Sequence, residues 1–273
     1  MILDDFKLDD IEIANIKLLR EEYKNLILII NVGGIIDLSI LDEVNIDAVI
    51  YFAQQGQMGG LALAKILKGE VSPSGALTDT WVKSYDDIFC GNEYSYLKGK
   101  ENKEFYKEDI YVGYRYFDSF NIKPRYEFGY GKTYASFEIK DIDYFNIDSK
   151  IIVNFKVKNI DEKYSGKKII QLYMRPNNTR FKREYQMLVA YAKTKELKPH
   201  ESEDIVMSFN MSDFAFYDEE TASFILESGQ YILNIGFSSR DNFEIGALYL
   251  EEDVVTEKCK NICPLKEKIE AIR

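Results

Sequence analysis

The stretch that most constrains the fold is residues 26–81, which is typical of a β-loop-α unit. It opens with LILII, a continuous aliphatic run that predicts a strand buried on both faces. A second strand is predicted over residues 47–52, and a helix from about Leu61 to Lys68, ending at Gly69. Open α/β sheets bind ligands beyond the carboxyl ends of their strands, so we expect any binding site of this unit in the two loops that follow these strands.

The candidate binding residues lie in those two loops. The first loop contains Asn31 and Gly33, and the second, QQGQMGG, contains Gln55, Gln57 and Met58. Glycine lets a ligand approach the backbone closely, and a helix start exposes backbone N–H groups. The alternative is that the glycines only form tight turns. The segment fits neither GxxxxGK[ST] nor GxGxxG, which argues against a nucleotide site.

The charge balance limits the possible partners. The 273 residues include 35 Lys and Arg against 46 Asp and Glu, a formal net charge of −11. This excess of negative charge argues against nucleic acid or an anionic membrane, and is compatible with a neutral ligand such as a sugar. The first residues, MILDDFKLDD, lack the basic and apolar regions of a signal peptide, and no apolar run is long enough for a membrane span.

The cysteines and the single histidine argue against several kinds of site. Cys90, Cys259 and Cys263 are too few for a disulfide framework, and predict reduced thiols in the cytoplasm. His200 lies in KPHE and is predicted to be a surface turn residue. We therefore expect no metal, no cofactor and no Ser-His-Asp or Cys-His catalysis.

The first half of the chain alternates helices and strands. Residues 5–23 predict an amphipathic helix and residues 37–44 a short helix or turn. Residues 83–107 are polar and rich in tyrosine, which predicts a long loop, and residues 108–120 look β-like around Gly113. The alternation implies a mostly parallel sheet with right-handed crossovers.

After about residue 134 the pattern contains strands only. In IIVNFKVKN the alternation places Ile151, Val153, Phe155 and Val157 on one face. Turn signals separate segments that alternate apolar and polar residues, at 137–145, 150–160, 167–175, 186–197, 203–211 and 230–238. Short strands at this spacing predict a β-sandwich.

Several motifs resemble glycoside hydrolase family 3, the β-glucosidase family. The segments that resemble its α/β sandwich domain are INVGGIIDLS, QQGQMGGLALAKILKGEVSPSGALTDT, EDIYVGYRYFDSF and EFGYGKTYASFE. Those that resemble its fibronectin type III-like domain are KVKNIDEKYSGKKIIQLYMR, ELKPHESEDIVMSF and FAFYDEE. The resemblance implies a partial α/β sandwich over residues 1–133, a fibronectin type III-like domain over 134–250 and a linker or tail over 251–273. The tail after residue 250 resembles family members of inverted order, in which these two domains precede the catalytic barrel.

The family resemblance implies a retaining reaction with two carboxylates. In the family the nucleophile is an Asp on the barrel, and the general acid/base is typically a Glu in a GEG-containing loop. Neither the GEG segment nor the barrel is found in this sequence, so no catalytic residue is assigned and the chain alone is predicted to be inactive. A separate barrel chain could complete the site for a β-glucoside or glucose. The alternative is a non-catalytic carbohydrate- or protein-binding module.

The loop after the second predicted strand departs from the family pattern. Family members of this type read Trp-Gln-Gly-Gly-Gln/Met-Glu-Gly-Gly there, whereas this sequence has Ala53 at the Trp, Gln55 at a Gly and Met58 at the acidic position. A partial α/β domain also predicts an unpaired sheet edge, exposed apolar surface and a tendency to associate.

Overall fold

The computed structural model describes residues 6–91, 105–262 and 269–272, and this part of the chain contains four α-helices and twelve strands. The helices are α1 Asp10–Glu22, α2 Ile40–Glu43, α3 Gly59–Leu67 and α4 Tyr114–Ser119. The strands are β1 Ile27–Ile30, β2 Ala48–Tyr51, β3 Phe137–Ile147, β4 Lys150–Asn159, β5 Ile169–Asn177, β6 Met187–Lys193, β7 Ser202–Asn210, β8 Phe216–Asp218, β9 Ser223–Leu226, β10 Gly229–Gly236, β11 Asn242–Leu250 and β12 Val254–Lys258.

The β-loop-α unit forms, but its sheet is covered on one face only. β1 pairs with β2 in parallel, with Ile27 opposite Ala48 and Ile30 opposite Tyr51. One face packs on a small core built around Ile30, Leu38 and Trp81. On the other face Ile27 and Ile29 are 44% and 39% exposed, so the prediction of a strand buried on both faces is wrong.

The prediction of a mostly parallel sheet is also wrong. Among the described strands, β1–β2 is the one parallel pair, and the sheets β11-β10-β5-β6, β12-β9-β8 and β3-β4-β7 are antiparallel throughout. After α3 the chain continues through the Pro/Gly segment at residues 72–75, and no third parallel strand follows among the described residues. Instead, Leu77 and Trp81 form main-chain hydrogen bonds with Tyr130 and Tyr126.

The β-like prediction for residues 108–120 is wrong as well, because Tyr114–Ser119 forms the helix α4. The helix follows Gly113, whose φ of +59° lies in the left-handed region that favours glycine. Phe117 is buried beside Phe6 and Val82, and Tyr114 stacks on Phe128 with ring centroids 4.7 Å apart. These packing contacts outweigh the β-propensity of the aromatic residues.

The second half is a β-sandwich, as predicted. Along β4 the buried and partly buried residues alternate, so the predicted core face is confirmed. Its members Ile151, Val153, Phe155 and Val157 pack with residues of the opposite sheet such as Leu172 and Leu233. Four strands, β8, β9, β11 and β12, were not predicted from the sequence; β8 and β9 are too short for a clear period-two pattern.

A polar network joins the first half to the sandwich. Arg240 Nε donates to Asp118 Oδ1 at 2.8 Å, and Gln186 Nε2 donates to Asp118 Oδ2 at 2.9 Å. Ser238 Oγ also donates to Glu127 Oε1 at 2.9 Å. Burial raises the pKa of Asp118, although its hydrogen bonds to Gln186 and Arg240 act in the opposite direction. The network therefore anchors α4 on the loop between β10 and β11.

The charged segment after residue 250 includes β12, which pairs with β9 in antiparallel fashion. Just before β12, the backbone N–H of Ser228 donates to Asp253 Oδ1 at 2.8 Å, and Arg180 forms an ion pair with the same carboxylate. The Ser228 hydrogen bond and then Arg180 lower the pKa of Asp253 from 3.8 to about 2.

We expect Asp253→Asn to lower the free energy of unfolding by about 1 kcal/mol at neutral pH, since the partly exposed pair is screened by solvent. A lowered pKa in the folded state stabilises the protein above pH 3.8, and this contribution is lost as the pH falls to about 2. Urea unfolding from neutral pH down to about pH 2 should show the difference from wild type disappear. The exposed neighbour Glu252, changed to Gln, is the control. A stability difference between Asp253→Asn and wild type that does not depend on pH would contradict the lowered pKa of Asp253.

Candidate functional site

The two predicted loops lie side by side. Because β1 and β2 are parallel, Asn31 and Gly33 after β1 share a sheet edge with residues 53–58 after β2. A Cβ added to Gly33 would lie 3.5 Å from the carboxamide of Gln54, so the Gln54 side chain lies next to the first loop. Gln54 is a residue that the sequence analysis did not select, and it reaches the first loop only because the strands pair.

The second loop is a tight turn that its own side chains stabilise. Ala53 adopts a φ of +52°, and Gln55 Nε2 donates to the carbonyl of Phe52 at 2.8 Å. A Cβ at Gly59 would lie 2.6 Å from the Cβ of Gln55, so glycine is needed where α3 begins. These contacts give Gln55 and Gly59 structural roles, which supports the turn interpretation for that part of the motif.

The other candidate residues are accessible to a ligand. Asn31, Gln57 and Met58 are exposed, and Met58, at the N-cap of α3, leaves 67% of its surface open. The loop segments 31–36 and 53–58 contain no titratable side chain. This edge can therefore offer carboxamide groups, backbone groups and an apolar thioether to a neutral polyol, but it cannot transfer a proton itself.

A separate small pocket, with room for no more than about one water molecule, contains none of the candidate residues. It is lined in part by Gly131, Lys168 and Phe237. Lys168 Nζ donates to the carbonyl of Gly131 at 3.3 Å and lies 4.7 Å from the centroid of the Phe237 ring. Burial lowers the pKa of Lys168. We interpret this lysine as a packing element of the link between the two halves, because its ammonium group is satisfied within the protein.

The remaining chemical groups of the described residues do not form a second site. His200 is an exposed turn residue, as predicted. Its Nε2 lies 3.0 Å from Glu162 Oε2. Within the described ranges, no group of three or more His, Cys, Asp or Glu side chains is arranged to hold a metal ion. Cys259 is a free thiol, and Cys263 lies outside the described residues. None of the described helices is both long and apolar enough to cross a membrane.

Comparison with protein families identifies both halves. Residues 3–114 match the glycosyl hydrolase family 3 C-terminal domain, and residues 168–239 match the fibronectin type III-like domain. Among curated proteins, the chain is 33% identical over 274 residues to a β-glucosidase of Ruminococcus albus, an alignment that covers 97% of this chain and 28% of that relative.

Solved structures agree with this match. β-Glucosidase 3B from Thermotoga neapolitana, in complex with α-D-glucose, is 32% identical with a TM-score of 0.85, over 91% of this chain and 35% of that one. A β-glucosidase from Paenibacillus barengoltzii is 30% identical with a TM-score of 0.88, over 94% of this chain and 29% of that one. The chain thus spans about a third of the length of the relatives it matches. It comprises a glycosyl hydrolase family 3 C-terminal domain over residues 3–114, followed by a fibronectin type III-like domain over residues 168–239.

Proposed function

We propose that this chain is the accessory part of a β-glucosidase, which hydrolyses a β-glucoside only with a catalytic barrel carried by a separate polypeptide. The observation that carries the proposal is the pair of neighbouring loop segments at one sheet edge, residues 31–36 and 53–58, which expose Asn31, Gln57 and Met58 and contain no titratable group. Such an edge can position a sugar, but the two carboxylates of a retaining reaction must come from elsewhere. As part of this proposal the two domains meet near residue 134; β3 begins at Phe137.

The proposed ligand is a β-glucoside or glucose. The Thermotoga neapolitana enzyme, which this chain resembles, is described in complex with glucose. Carboxamides such as Gln57 and Asn31 donate and accept hydrogen bonds, which suits sugar hydroxyl groups, and Met58 offers an apolar surface to the sugar ring. The small number of cysteines supports a cytoplasmic location as part of the same proposal.

A second candidate is a protein-binding module without a catalytic role. The exposed apolar residues Ile27 and Ile29 on the open sheet face favour it, because contiguous apolar surface marks interaction sites. The two candidates differ in whether adding a barrel produces turnover.

The test is hydrolysis of a chromogenic aryl β-glucoside by the purified chain, alone and mixed with a barrel-containing product of an adjacent gene. We expect no turnover by the chain alone, because its candidate edge has no general acid, and turnover in the mixture. In the mixture, Gln57→Ala and Met58→Ala should each lower kcat/KM by about 10-fold, the cost of one lost hydrogen bond or apolar contact.

The control variant is Gln230→Ala, on β10 of the sandwich, which should leave kcat/KM of the mixture unchanged. The proposal would be overturned if the chain alone showed turnover and a single Asp or Glu substitution abolished it. If the mixture shows no turnover, the binding module is favoured. Calorimetric titration with glucose would then show whether the chain binds sugar.

A further inference from the structure

The connection between β2 and α3 consists of two consecutive turns. Phe52 is the first residue after β2, and its N–H donates to the carbonyl of Ile30 at 2.8 Å, which anchors it to β1. In the first turn, Gln55 Nε2 donates to the carbonyl of Phe52 at 2.8 Å. In the second turn, the N–H of Gly59 donates to the carbonyl of Gly56 at 2.9 Å. A side chain therefore closes the first turn, whereas the main chain closes the second.

Gln57 and Met58 are the two central residues of the second turn. Met58 has a φ of −92° and a ψ of 4°, the angles expected for the third residue of a type I turn. Both residues are exposed. Because the proposed function has these two side chains meet the sugar, their direction depends on how firmly this turn is held.

The side chain of Gln55 joins the two turns. Its carboxamide closes the first turn, and its Cβ lies where the second turn ends, 2.6 Å from the position that a Cβ on Gly59 would take. Gly59 is buried, although Met58 and Gly60 on either side of it are exposed. The atoms nearest to a Cβ at this position belong to the side chains of Gln55 and Phe52. Gln55 therefore covers the start of α3.

The backbone of this connection requires such a constraint. Ala53 has a φ of +52°, in the left-handed region that is unfavourable for alanine, and a residue in that region persists only where surrounding contacts hold it. Gly56 adds freedom, because glycine loses more conformational entropy on ordering than any other residue. The hydrogen bond of Gln55 closes the ring that contains Ala53, and its packing on Gly59 encloses Gly56. Both contacts of Gln55 thus act on the least stable part of the backbone.

We propose that Gln55 is a positioning residue, which holds Gln57 and Met58 in the orientation that meets the sugar. This inference rests on the proposed function, and it gives Gln55 an indirect role, because its carboxamide is engaged by the main chain. Without the Gln55 constraint the second turn samples several conformations. The sugar then binds only the fraction of molecules in which the turn is correctly formed, so its apparent affinity falls in proportion to that fraction.

Hydrogen exchange of the chain alone tests whether Gln55 holds the turn. Gln55→Met keeps a long side chain that can pack on Gly59 but cannot donate a hydrogen bond. We expect the Gly59 amide to exchange about 3-fold faster in this variant, the effect of one exposed hydrogen bond, at an unchanged melting temperature. Gln54→Met is the matched control, because the Gln54 carboxamide lies beside Gly33 instead, and it should leave the Gly59 amide unchanged. Equal exchange in Gln55→Met and wild type would overturn the inference.

Kinetics of the mixture with the barrel-containing polypeptide test whether the turn acts on the sugar. Gln55→Met should raise KM for the aryl β-glucoside about 3-fold and leave kcat unchanged, because the turn presents the same groups to the substrate and to the transition state. In a background that carries both Gln57→Ala and Met58→Ala, Gln55→Met should have no further effect, since the side chains that it positions are gone. An equal effect in that background would overturn the positioning role. A mixture without turnover would contradict the proposed function, and the exchange of the Gly59 amide would then decide on Gln55.

Discussion

Replacement of Gly129 by alanine is expected to destabilise the protein by about 3–5 kcal/mol. Gly129 has a φ of +85°, which is unfavourable for alanine, and an added Cβ would lie 2.3 Å from Gln171 Oε1. That oxygen accepts a hydrogen bond from the buried Tyr173 hydroxyl at 2.7 Å. The methyl group would therefore combine backbone strain with overpacking and a broken buried hydrogen bond. Urea unfolding measures the loss.

Two other glycines separate these causes. Gly69 has a φ of +72° with no atom within 4 Å of an added Cβ. Gly69→Ala should therefore lower the free energy of unfolding through backbone strain alone, by about 1 kcal/mol. Gly34 has open space and no positive φ, so Gly34→Ala should change stability by about 0.5 kcal/mol or less. The clash argument is refuted if Gly129→Ala costs no more than Gly69→Ala.

Arg240→Ala should lower the free energy of unfolding by a similar amount, about 3–5 kcal/mol. Besides its contact with Asp118, the guanidinium donates to the carbonyls of Phe117 and Ile122, each at 2.8 Å. The Asp118 side chain is only 4% exposed, so the variant leaves a buried carboxylate without its cation. Thermal and urea unfolding of the variant measure the loss.

The pH dependence of Arg240→Ala follows from the same geometry. Burial already raises the pKa of Asp118 above 3.8, and loss of Arg240 removes a group that lowers it. A raised pKa in the folded state means that the native protein binds more protons, so stability falls as the pH rises through that pKa. The penalty of Arg240→Ala should therefore be smaller in acid than at neutral pH.

Two further variants complete the test of this ion pair. Asp118→Asn in the Arg240→Ala background should recover part of the loss, because it removes the buried charge. Lys17→Ala, in the exposed pair of Lys17 with Glu43, should cost about 0.5 kcal/mol or less. Equal costs for Lys17→Ala and Arg240→Ala would contradict the assignment of a buried, structural ion pair.

The sequence by itself determined the elements that local pattern specifies. LILII became β1, the run before the glutamine-rich loop became β2, and the alternation in β4 correctly assigned its core face. Period-two alternation and continuous apolar runs act within a few residues, so they can be interpreted without knowledge of distant contacts. The family resemblance likewise rests on short motifs that lie in order along the chain.

Only the tertiary structure decided which surfaces these elements cover. Tyr114–Ser119 is helical because it packs on Phe128 and on the sandwich, and LILII is open on one face because no described element covers it. The proximity of Gln54 to Gly33 and the hydrogen bond of Arg240 to Asp118 bring together residues far apart in sequence, so no local pattern predicts them. Local patterns specify which side of a strand is apolar, whereas the rest of the chain determines whether anything packs against that side.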